Sequence, residues 1–380
     1  MRSLDDLLRP LNRETFLDQN RARPLHIPAP EGSDKRSILD WTTFNGLLSQ
    51  TSIWTPANLR MVRNGEPIPA EAYCVLADTH AGKVMRPSPA KVEVLLSTGA
   101  SLIANDVQRL TPGIAALCDG LGETFAGAVA ANVYCSFGGV QAFQTHYDLH
   151  DVFAIQTEGE KVWRLYANRA PDPVDPPEPA DPRAYFAATR GPLVQEVRMR
   201  PGDVLYVPRG WYHDALAVEG ASLHLTLSVT PLYGRILFSL LEAAAMQDPT
   251  FRAWFPPAAP DGGAALRDHV GRLMTRLTEI ARMPFFINEI AMAQARLTPR
   301  PAAYALPERK PLTLFRPAGL IGPRIEGPAA VAMEWALAQP QFALEDMIAQ
   351  FDFVPEPALR GAVEAAERSG ALVRLSPATP

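Results

Sequence analysis

Proline and glycine interrupt this chain so often that most of it cannot be built from long elements. It holds 37 prolines and 25 glycines. Proline stops helices and central strands, and glycine marks turns. Between these breaks, short apolar runs recur at 72–77, 92–96, 127–134, 152–156, 162–166, 194–199, 204–207 and 223–229. Many short strands divided by turn residues predict an all-β sandwich or barrel with a helical surround. Helices are expected at Leu4-Asp5-Asp6-Leu7-Leu8 and at 102–117, the latter bounded by Pro112. The segment 170–183, rich in Pro, Asp and Ala, reads as a solvated loop inserted between strands.

After Pro231 the texture changes. The run 236–246 is apolar and alanine-rich, and Leu266, Val270, Leu273, Leu277 and Ile280 recur on one face of a long helix. Such a face serves either a core or a dimer seam. A proline- and arginine-rich linker is expected at 298–317, followed by helices at 329–338, 344–350 and 357–369 and a strand at 371–375. This last part resembles a winged-helix unit. Three domains are therefore expected in the 380 residues: a β domain with N-terminal helices at 1–232, a helical domain at 233–298, and a winged-helix-like domain at 299–380.

Charge narrows the partners. From Arg300 onward eight Arg or Lys face nine Asp or Glu, which leaves no phosphate-neutralising surface. The whole chain carries a net charge of −5, so no nucleic-acid partner is expected. Cys74, Cys118 and Cys135 form no C-x-x-C pair and leave an odd number, which fits buried thiols in a reducing compartment. No apolar run reaches a membrane span, and a cytoplasmic protein is expected.

The chemistry is concentrated in two places. His146-Tyr147-Asp148 offers an imidazole and a carboxylate two residues apart, which a strand projects to one face. A second imidazole follows in Pro201-Gly202-Asp203-Val204-Leu205-Tyr206-Val207-Pro208-Arg209-Gly210-Trp211-Tyr212-His213. There a Pro-Gly-Asp turn feeds a buried strand into a Pro-x-Gly bend that aims His213 back into the barrel. Two histidines and one carboxylate form the facial triad that holds Fe(II) and leaves coordination positions open. Lys161, Trp163 and Leu165 share the other face-forming parity of a downstream strand. A lysine on such an apolar face must meet an anion or pay a desolvation penalty. Arg164 points the other way, toward the surface. In Leu223-His224-Leu225-Thr226-Leu227-Ser228, alternation groups His224, Thr226 and Ser228 on the pocket side and sends the leucines to a second layer. Asn132 and Tyr134 share one face of an earlier strand, and His150 belongs to the pocket mouth or to structure.

The frame around His213 resembles the second metal motif of the cupin superfamily, although Ala217 stands where a further polar residue is usual. A longer pattern is more specific: Asn132, Tyr134, His146, Asp148, Asp151, Val152, Phe153, Gln156, Gly159, Lys161 and Trp163. Over about residues 129–230 the chain resembles the JmjC-domain oxygenases, within them the ribosomal oxygenase branch. The resemblance implies a double-stranded β-helix (jelly-roll) core with Fe(II) on His146, Asp148 and His213. It also implies 2-oxoglutarate as co-substrate, its distal carboxylate on Lys161, with Asn132, Tyr134, His224, Thr226 and Ser228 around it. The implied reaction is hydroxylation of a side chain of a protein substrate, which in this branch includes ribosomal proteins, by a homodimer. Two rivals stay open. A cupin-type enzyme could use the same metal on a small molecule without 2-oxoglutarate, indifferent to Lys161. A scaffold or regulator could retain the fold without catalysis.

Overall fold

The computed structural model describes residues 3–80, 82–137, 144–218, 220–298, 312–319 and 322–375. It forms two compact units, Met1–Thr230 and Pro231–Pro380. The first opens with α1 (Leu4–Leu8), α2 (Arg13–Thr15), β1 (Leu25–Ile27), α3 (Trp41–Ser49), β2 (Leu59–Arg63), β3 (Glu66–Pro67), α4 (Ala70–Tyr73), β4 (Cys74–Thr79) and β5 (Gly82–Pro87). It continues with α5 (Pro89–Ser97), β6 (Ser101–Ala104), α6 (Pro112–Phe125), β7 (Gly127–Phe137), β8 (Asp151–Glu158) and β9 (Lys161–Arg169). It closes with α7 (Pro182–Thr189), β10 (Leu193–Met199), β11 (Val204–Val207), β12 (Trp211–Ala217) and β13 (Ala221–Pro231).

Eight strands form one sheet in the order β1-β11-β8-β13-β7-β6-β2-β3, and β10-β9-β12 form a second. β8 lies between antiparallel neighbours β11 and β13, and alternation divides its residues between two cores. Val152 and Ala154 join Trp163, Leu165, Val197, Met199, Leu205 and Val207 in one apolar cluster, which strands of both sheets supply. Phe153 and Ile155 turn to the helix-covered side, where they meet Phe16, Leu117, Leu121, Tyr206 and the leucines of β13. The rings of Phe16, Phe153 and Tyr206 lie 4.9–5.9 Å apart. The result is the mainly β core with helical surround that the strand pattern predicts, consistent with the jelly-roll that the resemblance implies.

Two expected elements change type. The run 92–96 lies inside α5 instead of a strand. Its Val92 and Val94 favour strands, but Pro89 at the first turn starts a helix that the chain then continues. The expected helix at 102–117 divides into β6 and α6. Pro112 begins the helix instead of ending one: Thr111 caps it, its Oγ1 accepting from the Ile114 N–H at 3.2 Å.

The second unit contains α8 (Ile236–Ala245), α9 (Ala264–Arg282), α10 (Pro284–Leu297), β14 (Leu314–Pro317), α11 (Pro328–Ala338), β15 (Phe342–Ala343), α12 (Leu344–Gln350), α13 (Glu356–Arg368) and β16 (Leu372–Arg374). A three-stranded sheet, β15-β14-β16, packs Phe315 and Leu372 against Met333, Met347 and Leu359 of the helices. Met292 of α10 joins that same core. On α9 only Ile280 of the expected apolar face is buried, and Val270 is 41% exposed. Most of the expected linker, 299–311, lies outside the described residues. No helix among the described residues is long and apolar enough to cross a membrane.

Candidate metal centre

The two halves of the histidine set meet through the backbone. His146 forms an isolated antiparallel bridge to His213 on β12. The His146 N–H donates to the His213 carbonyl at 3.0 Å, and the His213 N–H donates back at 2.9 Å. The Gly210 N–H of the Pro-x-Gly bend donates to the Asp148 carbonyl at 2.8 Å. Sequence reasoning set His146 and Asp148 on a regular strand. The structure instead bridges His146 alone and leaves Asp148 in irregular chain, held by that glycine.

The side chains converge accordingly. Asp148 Oδ2 lies 3.4 Å from His213 Nε2, and Asp148 Oδ1 lies 3.9 Å from His146 Nε2. One ligand atom from each residue falls within 4.8 Å of the others, the only such cluster among the described residues. Each Nδ1 lies near a carbonyl oxygen, Gln144 O at 2.8 Å for His146 and Trp211 O at 2.9 Å for His213. A carbonyl only accepts, so each Nδ1 carries the proton and each Nε2 lone pair faces the partner ligands. Burial and the neighbouring His146 lower the His213 pKa, so its imidazole is neutral at neutral pH. Burial alone would raise the Asp148 pKa, but His146 and His213 outweigh it and hold the carboxyl below its ordinary range. Two imidazole nitrogens and a carboxylate suit a divalent cation with open positions.

A cavity of about 300 Å³ opens beside this triad. Lys161 lines it, as do Asn132, Tyr134, His224, Thr226 and Ser228. Lys161 is 3% exposed. Its register neighbours are Met199 on β10 and Ala217 on β12, so the position that departs from the general cupin pattern gives the lysine an apolar wall. Burial lowers the amine pKa to about 8, offset only in part by the Cys135 thiol. No carboxylate among the described residues lies within ion-pair distance of it, a state that calls for an anion from outside.

The other expected residues differ in how free they are. Thr226 Oγ1, His224 Nδ1, His150 Nδ1 and Trp163 Nε1 are buried without a hydrogen-bond partner. Buried polar atoms without partners are rare, and here they border one cavity. Ser228 Oγ already donates to the Ala130 carbonyl at 3.3 Å, and Asn132 Oδ1 accepts from the Asp106 N–H at 3.2 Å. His224 stacks on Tyr134, centroids 4.8 Å apart at 8°, outside the ligand cluster. Burial and the Lys161 charge keep it neutral. Trp163 stacks on His213 at 5.7 Å, a contact that strand parity alone does not report.

Arg164 faces away from the cavity, as parity predicts, with its side chain 33% exposed; what parity does not show is its pairing across the sheet with Asp214, Nε to Oδ1 at 2.6 Å, Asp214 itself being 1% exposed. Asp214, Thr145, Tyr166 and Arg190 form a polar cluster behind the histidines that no sequence motif marks. The signal available was parity, since 145 and 214 alternate with 146 and 213.

A mainly β core that gathers two imidazoles and one carboxylate beside a cavity has the architecture of cupin-type barrels and makes these three residues a candidate metal site. Comparison with known proteins is more specific. Residues 106–235 match the family described as JmjC domain. The chain is 30% identical over 233 residues to rat "Ribosomal oxygenase 1", covering 57% of this chain and 37% of that protein. It is 34% identical over 165 residues to "Bifunctional lysine-specific demethylase and histidyl-hydroxylase NO66" of Dictyostelium discoideum, covering 42% of this chain and 32% of that protein. The chain therefore spans about a third of the length of these curated relatives. Among solved structures, Escherichia coli YcfD, a ribosomal oxygenase in complex with cobalt and 2-oxoglutarate, aligns with a TM-score of 0.51 at 18% identity over 96% of this chain and 99% of that one. The chain carries a JmjC domain, and proteins named ribosomal oxygenase and NO66 are its homologues.

Proposed function

We propose that the protein is an Fe(II)- and 2-oxoglutarate-dependent oxygenase that hydroxylates a side chain of a protein substrate. One observation carries the reading: a buried Lys161 without an acidic partner lines the same cavity as His146, Asp148 and His213. A cupin enzyme acting without 2-oxoglutarate on an uncharged small molecule has no use for that cation. When bound, iron and 2-oxoglutarate would let dioxygen do the oxidation: one oxygen atom would go into succinate as carbon dioxide leaves, and the other into a substrate C–H bond to give C–OH. His146, Asp148 and His213 hold the metal, and their Nδ1–carbonyl contacts fix the imidazoles before it arrives. Lys161 pairs with the distal carboxylate, and the unpartnered Thr226 hydroxyl and Trp163 N–H supply further contacts. The aromatic wall of Tyr134, His224 and Trp163 excludes water from that end.

A polypeptide target, ribosomal proteins included, is supported by the names of the relatives, which also include a lysine demethylase. A homodimer is supported by apolar surface on the second unit, where Phe238 is 72% and Trp254 94% exposed. A winged-helix-like reading of the C-terminal part is supported by α11, α12 and α13 around a three-stranded sheet. No role in nucleic-acid binding is assigned to that part, given its charge balance, and a cytoplasmic site for the protein is inferred from the free, buried Cys74, Cys118 and Cys135.

The test is anaerobic calorimetry with Mn(II) in place of iron. The wild type should bind 2-oxoglutarate. Lys161→Ala should lose at least about tenfold in that affinity, the scale of one charge-assisted contact, and still bind metal; His146→Ala should lose both. Absence of 2-oxoglutarate binding by the metal-loaded wild type would overturn the proposal.

A further inference from the structure

The two chain segments that carry the imidazoles have a second face. His146, Asp148 and His213 turn to the cavity, whereas Thr145, Tyr147, Tyr212 and Asp214 turn away from it. On that far side Asp214, 1% exposed, accepts three hydrogen bonds. Thr145 Oγ1 and Tyr166 OH each donate to its Oδ2 at 2.7 Å, and Arg164 Nε donates to Oδ1 at 2.6 Å. Arg190 Nη1 closes the network from outside, donating to Thr145 Oγ1 at 2.9 Å and to Tyr166 OH at 2.8 Å. Its guanidinium lies 4.4 Å over the Tyr166 ring.

The direction of every bond in this network is determined. Each hydroxyl has one hydrogen, given to Asp214, and accepts from Arg190 through a lone pair. Asp214 as a carboxylate only accepts. The hub joins the residue before His146 to the residue after His213. One step along the bridge, Tyr147 packs edge-to-face on Tyr212 at 5.1 Å, and Phe186 of α7 packs on Tyr147 at 5.6 Å. Helix α7 and Arg190 both follow the proline-rich loop after β9. That insertion therefore braces the metal-bearing chain from behind.

We infer that Asp214 is a positioning residue for the metal centre: it fixes the separation of the His146 and His213 imidazoles from the face opposite the metal. The inference rests on the reading that these histidines hold a metal. Groups that orient metal ligands from behind typically account for about 10–100-fold in metal affinity. Here they would act through backbone and side-chain placement, since Asp214 touches neither imidazole.

The experiment compares metal-free wild type, Asp214→Asn and Tyr166→Phe. The readouts are the Mn(II) dissociation constant, the visible spectrum of the Co(II)-loaded protein and the thermal midpoint before loading. Asp214→Asn keeps the shape of the side chain but turns one acceptor into a donor that opposes both hydroxyls. It should weaken Mn(II) binding about 10–100-fold and alter the Co(II) bands, which report ligand geometry. Tyr166→Phe removes one strut without changing charge, and should weaken binding about 3–10-fold, as expected for one lost hydrogen bond. If Asp214→Asn does not fold, Tyr166→Phe alone decides by the same readouts. A fall in thermal midpoint with unchanged Mn(II) affinity and Co(II) spectrum overturns the inference. So does weakening confined to Asp214→Asn with Tyr166→Phe at wild-type values, because charge alone then explains it. No Mn(II) binding by the wild type would instead overturn the underlying metal assignment.

Discussion

Replacing Lys161 by methionine should make the protein more stable and inactive at once. The amine is 3% exposed, and burial has lowered its pKa from 10.5 to about 8. At roughly 1.4 kcal/mol per pH unit, holding that buried amine charged at neutral pH costs folding about 3 kcal/mol. Methionine has a similar length, suits the neighbours Met199 and Ala217, and carries no charge. In urea unfolding of the metal-free protein at pH 7, Lys161→Met should gain up to about 3 kcal/mol over wild type. The sign of the pH dependence follows from the direction of the shift. Below about 8 the lysine is charged in both folded and unfolded chains, so the wild type bears the full penalty. Between about 8 and 10.5 the folded chain binds fewer protons than the unfolded one, so wild-type stability rises with pH. The advantage of the variant should therefore shrink over that window and nearly vanish above it. An equal or less stable methionine variant at pH 7, or an advantage that does not change with pH, would refute the argument that this amine is an unpaired cation kept for an incoming carboxylate.

Two further outcomes follow from packing. Gly210 sits at φ +81, and a Cβ there would lie 2.4 Å from the Ala170 carbonyl oxygen; Gly210→Ala should cost about 1–3 kcal/mol in urea unfolding. Because the Gly210 N–H holds the Asp148 carbonyl, Mn(II) titration of the same variant should show weakened binding as well. Phe153 is fully buried between the Phe16 and Tyr206 rings; Phe153→Ala should cost about 3–5 kcal/mol by calorimetry or urea unfolding, and a loss under about 1 kcal/mol would contradict its place in the core.

The legible parts of the molecule were those in which a local pattern and a long-range role coincide. β11 occupies the predicted residues because a buried strand between two turn signals leaves few alternatives, and α12 runs over the predicted 344–350. The cavity placement of Lys161, His224 and Thr226 follows from strand parity, which needs no knowledge of neighbours. Elsewhere local signals compete. Val92 and Val94 speak for a strand, Pro89 for a helix start, and tertiary packing of Val92 decides for the helix. β1 has only three residues, too few to show a period, and exists because β11 offers it an edge. The partner of Arg164 was unreadable for a related reason: Asp214 lies 50 positions away, and which residue stands across a sheet depends on register.

The pairing of β1 with β11 also sets an order of events for a chain emerging from the ribosome. Leu25 faces Tyr206, and His26 Nε2 lies 3.0 Å from Asp203 Oδ2, 177 residues later. At about 5–20 residues per second, the N-terminal strand waits on the order of 10–35 s for its partner to be made. Ile27 and Phe16, both fully enclosed in the folded molecule, lack their contacts with Val204 and Tyr206 of β11 during that time. The β11 edge, once made, is protected only when that early segment returns to it. Closure of the barrel is thus a late, non-local step. His146 meets His213 only after β12 has emerged, so no nascent chain shorter than this can assemble the three ligands.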